Sequence, residues 1–403
     1  MKRVLWWGFV IAAWPVASAG QQEALTLEQV LNRARTHGPA IRAARDRIDE
    51  ARGRLRGASI LLRDNPEVEA SAGPRSGTNM TDVDFALTQT FELGGRRGAR
   101  IAGGRADVDR ETAASQNTAR ELLRDVAAAF WRAVAAEDRV RLANEAHGVA
   151  SELLHSMERR YEVGDVPILD VNVTRVSAAR ARLEVRGAEG DLAVALGDLR
   201  VFLGMAAEAP LAVRGDLRQH RSYQPDELIA EALNRPDLRA ISAEIRQAEA
   251  EVRLGRGFAW PDLGLGFKYE RDEGDTVTKG GLTLTLPIFS RGQELRATGE
   301  ARARRLGREL EAGQRAVANQ VRTGLDVYQR KVDAAQELER NALQSLAENE
   351  TLARRSFEEG EINLIELLLI RRESFETRLF HLNQLLEAAL AGVEVEARAG
   401  VLK

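Results

Sequence analysis

The chain carries one plan twice. The stretch RRYEVGDVPILDV over Arg159–Val171 returns as RSFEEGEINLIEL over Arg355–Leu367. Aligned on Gly164 and Gly360, seven pairs keep their chemical type: Tyr161/Phe357, Glu162/Glu358, Asp165/Glu361, Val166/Ile362, Ile168/Leu364, Leu169/Ile365 and Asp170/Glu366. Upstream, GPAIRAARDRIDEA from Gly38 answers RPDLRAISAEIRQA from Arg235, NPEVEA at Asn65 answers WPDLGL at Trp260, and TFELGGR at Thr90 answers TLPIFSR at Thr285. The offset stays between 195 and 197 residues. Whatever one half folds into, the other must repeat. The division is a first repeat over 20–210 and a second over 211–403.

Within each half the hydrophobic period switches. In DVDFALTQTFEL, Val83, Phe85, Leu87 and Phe91 alternate with Asp84, Ala86, Thr88 and Thr90. PDLGLGFKYE sends Leu263, Leu265, Phe267 and Tyr269 to one side, GLTLTLPI does so with Leu282, Leu284, Leu286 and Ile288, and PEVEASAG does so more weakly. Such alternation predicts four strands, paired across the polar turns PRSGTNMTD and RDEGDTVTKG. After each pair the spacing becomes three and four, as in Leu142, Ala146, Val149, Leu153, Met157 and Tyr161. Arg97–Arg160 and Gln293–Glu358 contain no proline. They predict helices of roughly 95 to 100 Å at ~1.5 Å per residue, too long for a globule and suited to a coiled-coil seam. A second striped helix follows each one, so Gly164 and Gly360 fall at hairpin tips.

Composition narrows the function. A net charge of -3 over 403 residues gives no basic surface for nucleic acid. The absence of cysteine excludes disulfides, thiolate metal sites and a lipidated N-terminal Cys. MKRVLWWGFVIAAWPVASAG has the basic start, short apolar run and small residues of a secretory signal cleaved after Ala19 (residues 1–19). No later apolar run is long enough for a membrane helix. An exported chain of this kind enters a membrane only through its strands. Four strands cannot close a barrel, because membrane barrels begin at about eight, and open edges are not tolerated in lipid. Several chains must pool strands: two give eight, three give twelve. The long helices then extend the wall as a tube.

In this doubled order of strand, strand, long helix, tip and return helix, and in the tip motif at Gly164 and Gly360, the chain resembles the TolC-like outer-membrane efflux family across the mature sequence. TQTFELGGRRGARI, Thr88–Ile101, resembles most the subgroup serving cobalt, zinc and cadmium exporters. The resemblance implies a mainly α fold with a small β part: a homotrimeric 12-stranded barrel in the outer membrane of a Gram-negative bacterium, continued by a periplasmic helical tunnel. It implies a periplasmic adaptor and an inner-membrane pump of the RND type as partners, heavy-metal cations as cargo, and no cofactor. The tips, Gly164, Asp165, Val166, Ile168 and Leu169 with Gly360, Glu361, Ile362, Leu364 and Ile365, are the expected adaptor contact. Glu366 is the expected tunnel constriction, with Asp170 its weaker counterpart. Leu369 stands where some members carry a second acid.

Other features read more plainly. ELGGRRGAR lacks the Lys-Ser/Thr ending of a phosphate loop. Its Arg96, Arg97 and Arg100, with Arg291 in the second half, are expected at the periplasmic membrane interface, reaching headgroups. His147 and His155 stand eight apart, not at the spacing of a helical metal pair. No nucleophile, base and orienting group recur at useful spacing, so an enzyme is not expected. The competing reading is a secreted coiled-coil adaptor or tether, whose strands would form a soluble sheet with its apolar face buried in a core.

Overall fold

The computed structural model describes residues 24–74, 81–272 and 275–402; the signal segment and most of the first strand turn lie outside them. Each half is a strand pair set between helices. The first contains α1 (Leu27–His37), α2 (Pro39–Ser59), β1 (Glu67–Pro74), β2 (Thr81–Phe91), α3 (Arg96–Glu162) and α4 (Ile168–Phe202). The second contains α5 (Pro225–Ala232), α6 (Pro236–Gly257), β3 (Asp262–Asp272), β4 (Asp275–Thr285), α7 (Gln293–Leu338), a π-helical turn (Glu339–Leu343), α8 (Gln344–Glu358) and α9 (Leu364–Ala399). Pro39 and Pro236 open equivalent helices at the first position, where a missing N–H has no cost.

The four strands form one antiparallel meander in chain order, and the halves meet where β2 pairs with β3. The register puts Phe85 opposite Tyr269, Leu87 opposite Phe267 and Phe91 opposite Leu263. It continues with Leu265 opposite Leu282 and Leu263 opposite Leu284. One face is thus apolar across all four strands. Among the described residues no helix covers it: Leu282 is 70% exposed, and Val68, Phe267 and Leu284 are exposed as well. β1 and β4 remain edge strands.

α3 runs unbroken for 67 residues, about 100 Å at ~1.5 Å per residue. Its middle packs against α1, the end of α4, the connection 203–224 and α9 in a cluster centred on Phe130, Val126 and Leu199. A second cluster joins α5, α6, α7 and α9 through Leu228, Leu238, Val321 and Val395. The short helices α1 and α5, which periodicity alone does not reveal, seal these girdles.

Three expectations change. β4 begins at Asp275, inside the expected turn, and ends at Thr285, so Leu286 and Ile288 leave the sheet at Pro287, which has no N–H to give a ladder. The second long helix is broken by its π-turn, where the first is not. Arg96 and Arg100 do not reach outward. Arg96 is 4% exposed, ion-paired with Asp262 and stacked 4.9 Å over Phe258. Arg100 is paired with Glu92, both largely buried. Helix–strand packing at this junction encloses both guanidiniums, and carboxylates from the neighbouring strand ends neutralise them. Arg97, bonded to the Ser59 carbonyl at 2.9 Å, and Arg291, bonded to Pro287 and Ile288 carbonyls, stay exposed.

Candidate functional site

The two tips share one backbone solution. At the first, Gly164 has φ +76°, its N–H bonds to Tyr161 O at 2.9 Å, and Asp165 N–H bonds to Arg160 O at 2.8 Å. At the second, Gly360 has φ +80°, its N–H bonds to Phe357 O at 3.2 Å, and Glu361 N–H bonds to Ser356 O at 2.7 Å. Both helices end in a left-handed residue that lets the chain reverse, a conformation glycine alone enters freely. The acid after each glycine folds back on its own helix: Asp165 onto Arg160 at 2.6 Å, Glu361 onto the Ser356 hydroxyl at 2.9 Å.

The tips lie side by side within the chain. Leu153, Met157, Val171, Ala353, Leu364 and Leu367 form a shared core, with Val166, Phe357 and Ile362 packed on its edge. Arg160 reaches across, its guanidinium 6.0 Å from the Phe357 ring. This divides the residues expected at the adaptor contact. Leu364 is 6% exposed and belongs to the tip core, while Val166 and Ile362 are half-buried against it. A residue enclosed between two helices has no surface for a partner, so Leu364 drops out of the contact. Ile168, Leu169 and Ile365 point outward, Ile365 at 70% exposure. Val163 and Leu369 are exposed as well; the motif alignment pairs Val163 with Glu359 and so gives no apolar match that would mark it.

Glu366 occupies the first turn of α9, exposed, as Asp170 occupies the first turn of α4. Both stand where a carboxylate complements the helix dipole. Glu366 does more: its carboxylate accepts from Asn363 N–H at 2.9 Å, while Asn363 Oδ1 accepts from Glu366 N–H at 2.9 Å. That reciprocal capping box fixes the start of α9. At the first tip the equivalent cap is Pro167, which makes no side-chain bond. The sequence signal for this box is N-x-x-E before an apolar run, which the first repeat lacks because Pro167 stands at the cap.

A subunit with an uncovered apolar meander and two long helical hairpins ending in matched tips is part of a membrane-embedded duct with a helical extension. A family model described as outer membrane efflux protein matches residues 30–205 and 228–400. The chain is 25% identical over 395 residues to the cobalt-zinc-cadmium resistance protein CzcC of Cupriavidus metallidurans, covering 97% of this chain and 93% of that one. It is 26% identical over 294 residues to the nickel-cobalt-cadmium resistance protein NccC of Alcaligenes xylosoxydans xylosoxydans, covering 70% and 65%. Among solved structures, CusC superposes with a TM-score of 0.78 at 19% identity over 93% of this chain and 91% of that chain. The open-state Neisseria gonorrhoeae MtrE outer membrane channel does so at 0.76 and 18% identity, over 94% and 89%. The chain belongs to the outer membrane efflux protein family, and it is an outer-membrane efflux channel protein.

The capping geometry separates fold from charge at Glu366. Asn363→Ala removes the box and should weaken the start of α9 by about 0.5–2 kcal/mol, a typical cap loss, seen as faster amide exchange over Leu364–Leu367. Glu366→Gln keeps an acceptor for Asn363 N–H, and exchange there should stay near wild type.

Proposed function

We propose that three copies of this chain form the channel, a passive duct whose twelve pooled strands cross the outer membrane and whose helices make a periplasmic tunnel. The observation that carries this reading is the uncovered apolar face of the meander together with its two open edges. A soluble tether would bury that face, and a lipid-embedded sheet must close its edges on a neighbour. A second surface supports association. Beyond the tip, α4 leaves Val176, Leu183, Val194 and Val201 exposed, with Val176 and Leu183, and again Val194 and Val201, at seven-residue spacing. Seven-residue repeats are the seam of a coiled coil with a partner helix.

The exposed tip aliphatics Leu169 and Ile365 are the docking surface for a periplasmic adaptor, which connects the duct to an inner-membrane pump of the RND type that supplies the energy. The secretory pattern of residues 1–19 fits export of the chain to the periplasm before insertion. Glu366, gathered about a threefold axis, sets a cation preference at the tunnel entrance, with Asp170 the weaker contributor. Likeness to CzcC and NccC supports heavy-metal cations as cargo.

Three outcomes test the parts separately. Phe267→Arg, at the middle of β3 on the apolar face, should cost roughly 2–4 kcal/mol at bilayer mid-depth, whereas Thr88→Arg on the polar face should assemble nearly as wild type. Heat-resistant oligomers in outer-membrane fractions report both, and equal loss would overturn the assigned faces. Leu169→Asp combined with Ile365→Asp should abolish metal resistance while oligomers still reach the membrane; normal resistance would remove the tips from docking. In single-channel recordings across a salt gradient, Glu366→Gln should shift the reversal potential toward anions more than Asp170→Asn does, and an unchanged potential would remove Glu366 from the entrance.

A further inference from the structure

The inner face of α9 is apolar at both ends, with Leu364 and Leu367 near the tip and Leu385 and Ala388 farther along. Between them the same face, stepping by three and four, carries Arg371, Ser374, Arg378 and His381. Ser374 is fully buried and His381 is 4% exposed. Arg371 Nη1, Ser374 Oγ and His381 Nε2 are buried without a hydrogen-bond partner among the described residues; Arg378 is satisfied by Glu350 at 2.7 Å. Unpaired buried polar atoms are costly, and three along one seam mark a packing that is not at its optimum.

The facing helix is irregular at the same level. Ala335, the last buried residue of α7, is followed by the π-turn Glu339–Leu343, and α8 beyond it buries only Ala353. A π-turn holds one surplus residue in the helix and weakens its hydrogen-bond ladder. The charged groups acting on His381 come from the π-turn, Glu339, and from the connection 203–224, Arg218, which themselves approach at 3.7 Å. His220 on that connection also feels Glu339 and Asp216.

The first half supplies the contrast. At the same distance beyond the tip glycine as His381 and Ser374, α4 buries Val185 and Ala178, and α3 opposite has no π-turn. The polar seam and the irregular helix therefore occur together, in one hairpin of two.

We propose that His381 and the π-turn form a proton-operated hinge, through which acid loosens α8 from α9 in the second hairpin. The proposal builds on the duct reading and adds to it a control built into one hairpin. Burial holds the imidazole below its ordinary pKa of 6.5, so it is neutral in the packed seam at neutral pH. A state that exposes the ring has the ordinary value. Packing of the seam is thus fully favoured above 6.5 and weakens as pH falls below it. Protonation puts a positive charge in the seam that attracts the Glu339 carboxylate, now 3.7 Å from Arg218, and drawing Glu339 toward it distorts the π-turn.

The test is hydrogen exchange of the purified full-length protein at pH 7.5 and pH 5.5, corrected for intrinsic rates. Exchange over 339–350 and 371–385 should rise at pH 5.5 by up to about tenfold, the preference of an imidazole of ordinary pKa 6.5 for its protonated state at that pH. The α3–α4 hairpin should not respond. His381→Gln should abolish the rise, and so should deletion of Asn341, which removes the surplus residue and leaves His381 in place; His220→Gln should preserve it. A rise that persists in His381→Gln or in the deletion, that disappears in His220→Gln, or that fails to occur in wild type would overturn the hinge. Local exchange does not require conduction, so this outcome is separate from that of the duct reading.

Discussion

Everything in this fold answers to one constraint: a sheet whose apolar face has no core to cover it, and whose end strands have no partners. Water penalises the face, and lipid penalises the edges. Neither solvent alone tolerates one copy of the meander. The long helices do not relieve the problem: α3 leaves the sheet at the Arg96–Asp262 and Arg100–Glu92 pairs, and the long helices bury their apolar residues against one another and the short helices, not against the sheet. In the proposed assembly, strands pooled from several chains would close the edges, and the exposed α4 stripe would give a second contact.

Much of this was legible in the sequence because it depends on period. Alternation at Val83, Phe85 and Leu87 specifies the face of a strand whatever surrounds it. The tip glycines were legible because both copies need the same left-handed residue. What the sequence concealed depends on three-dimensional neighbours. Arg96 looked like a solvent-seeking cation until β3 brought Asp262 beside it. Leu364 and Ile168 align as equals, yet only Leu364 is enclosed, because the second hairpin packs its first turn against the first hairpin's Met157 and Val171. The π-turn gave no sign in Glu339–Leu343, whose residues are ordinary helix formers.

Glu366 shows how one residue can satisfy two readings at once. Its bond to Asn363 is a sufficient structural reason for a glutamate at that position, and it orients the carboxylate at the first turn of α9. A charge held by a cap is also a charge of fixed position. Folding and selectivity can thus be served by the same side chain, and substitution by glutamine is the change that distinguishes them.

The β2–β3 pairing has a wider meaning. Within a chain it joins the end of one repeat to the start of the next, and in a closed ring the β1 edge of one chain would meet the β4 edge of another. Around such a ring every hairpin sits in nearly the same surroundings, as though a half-length ancestor had assembled six to a circle. Fusion breaks that equivalence. Once two repeats share a chain, alternate positions can mutate independently, so in the proposed trimer every second hairpin is free to diverge from its neighbours.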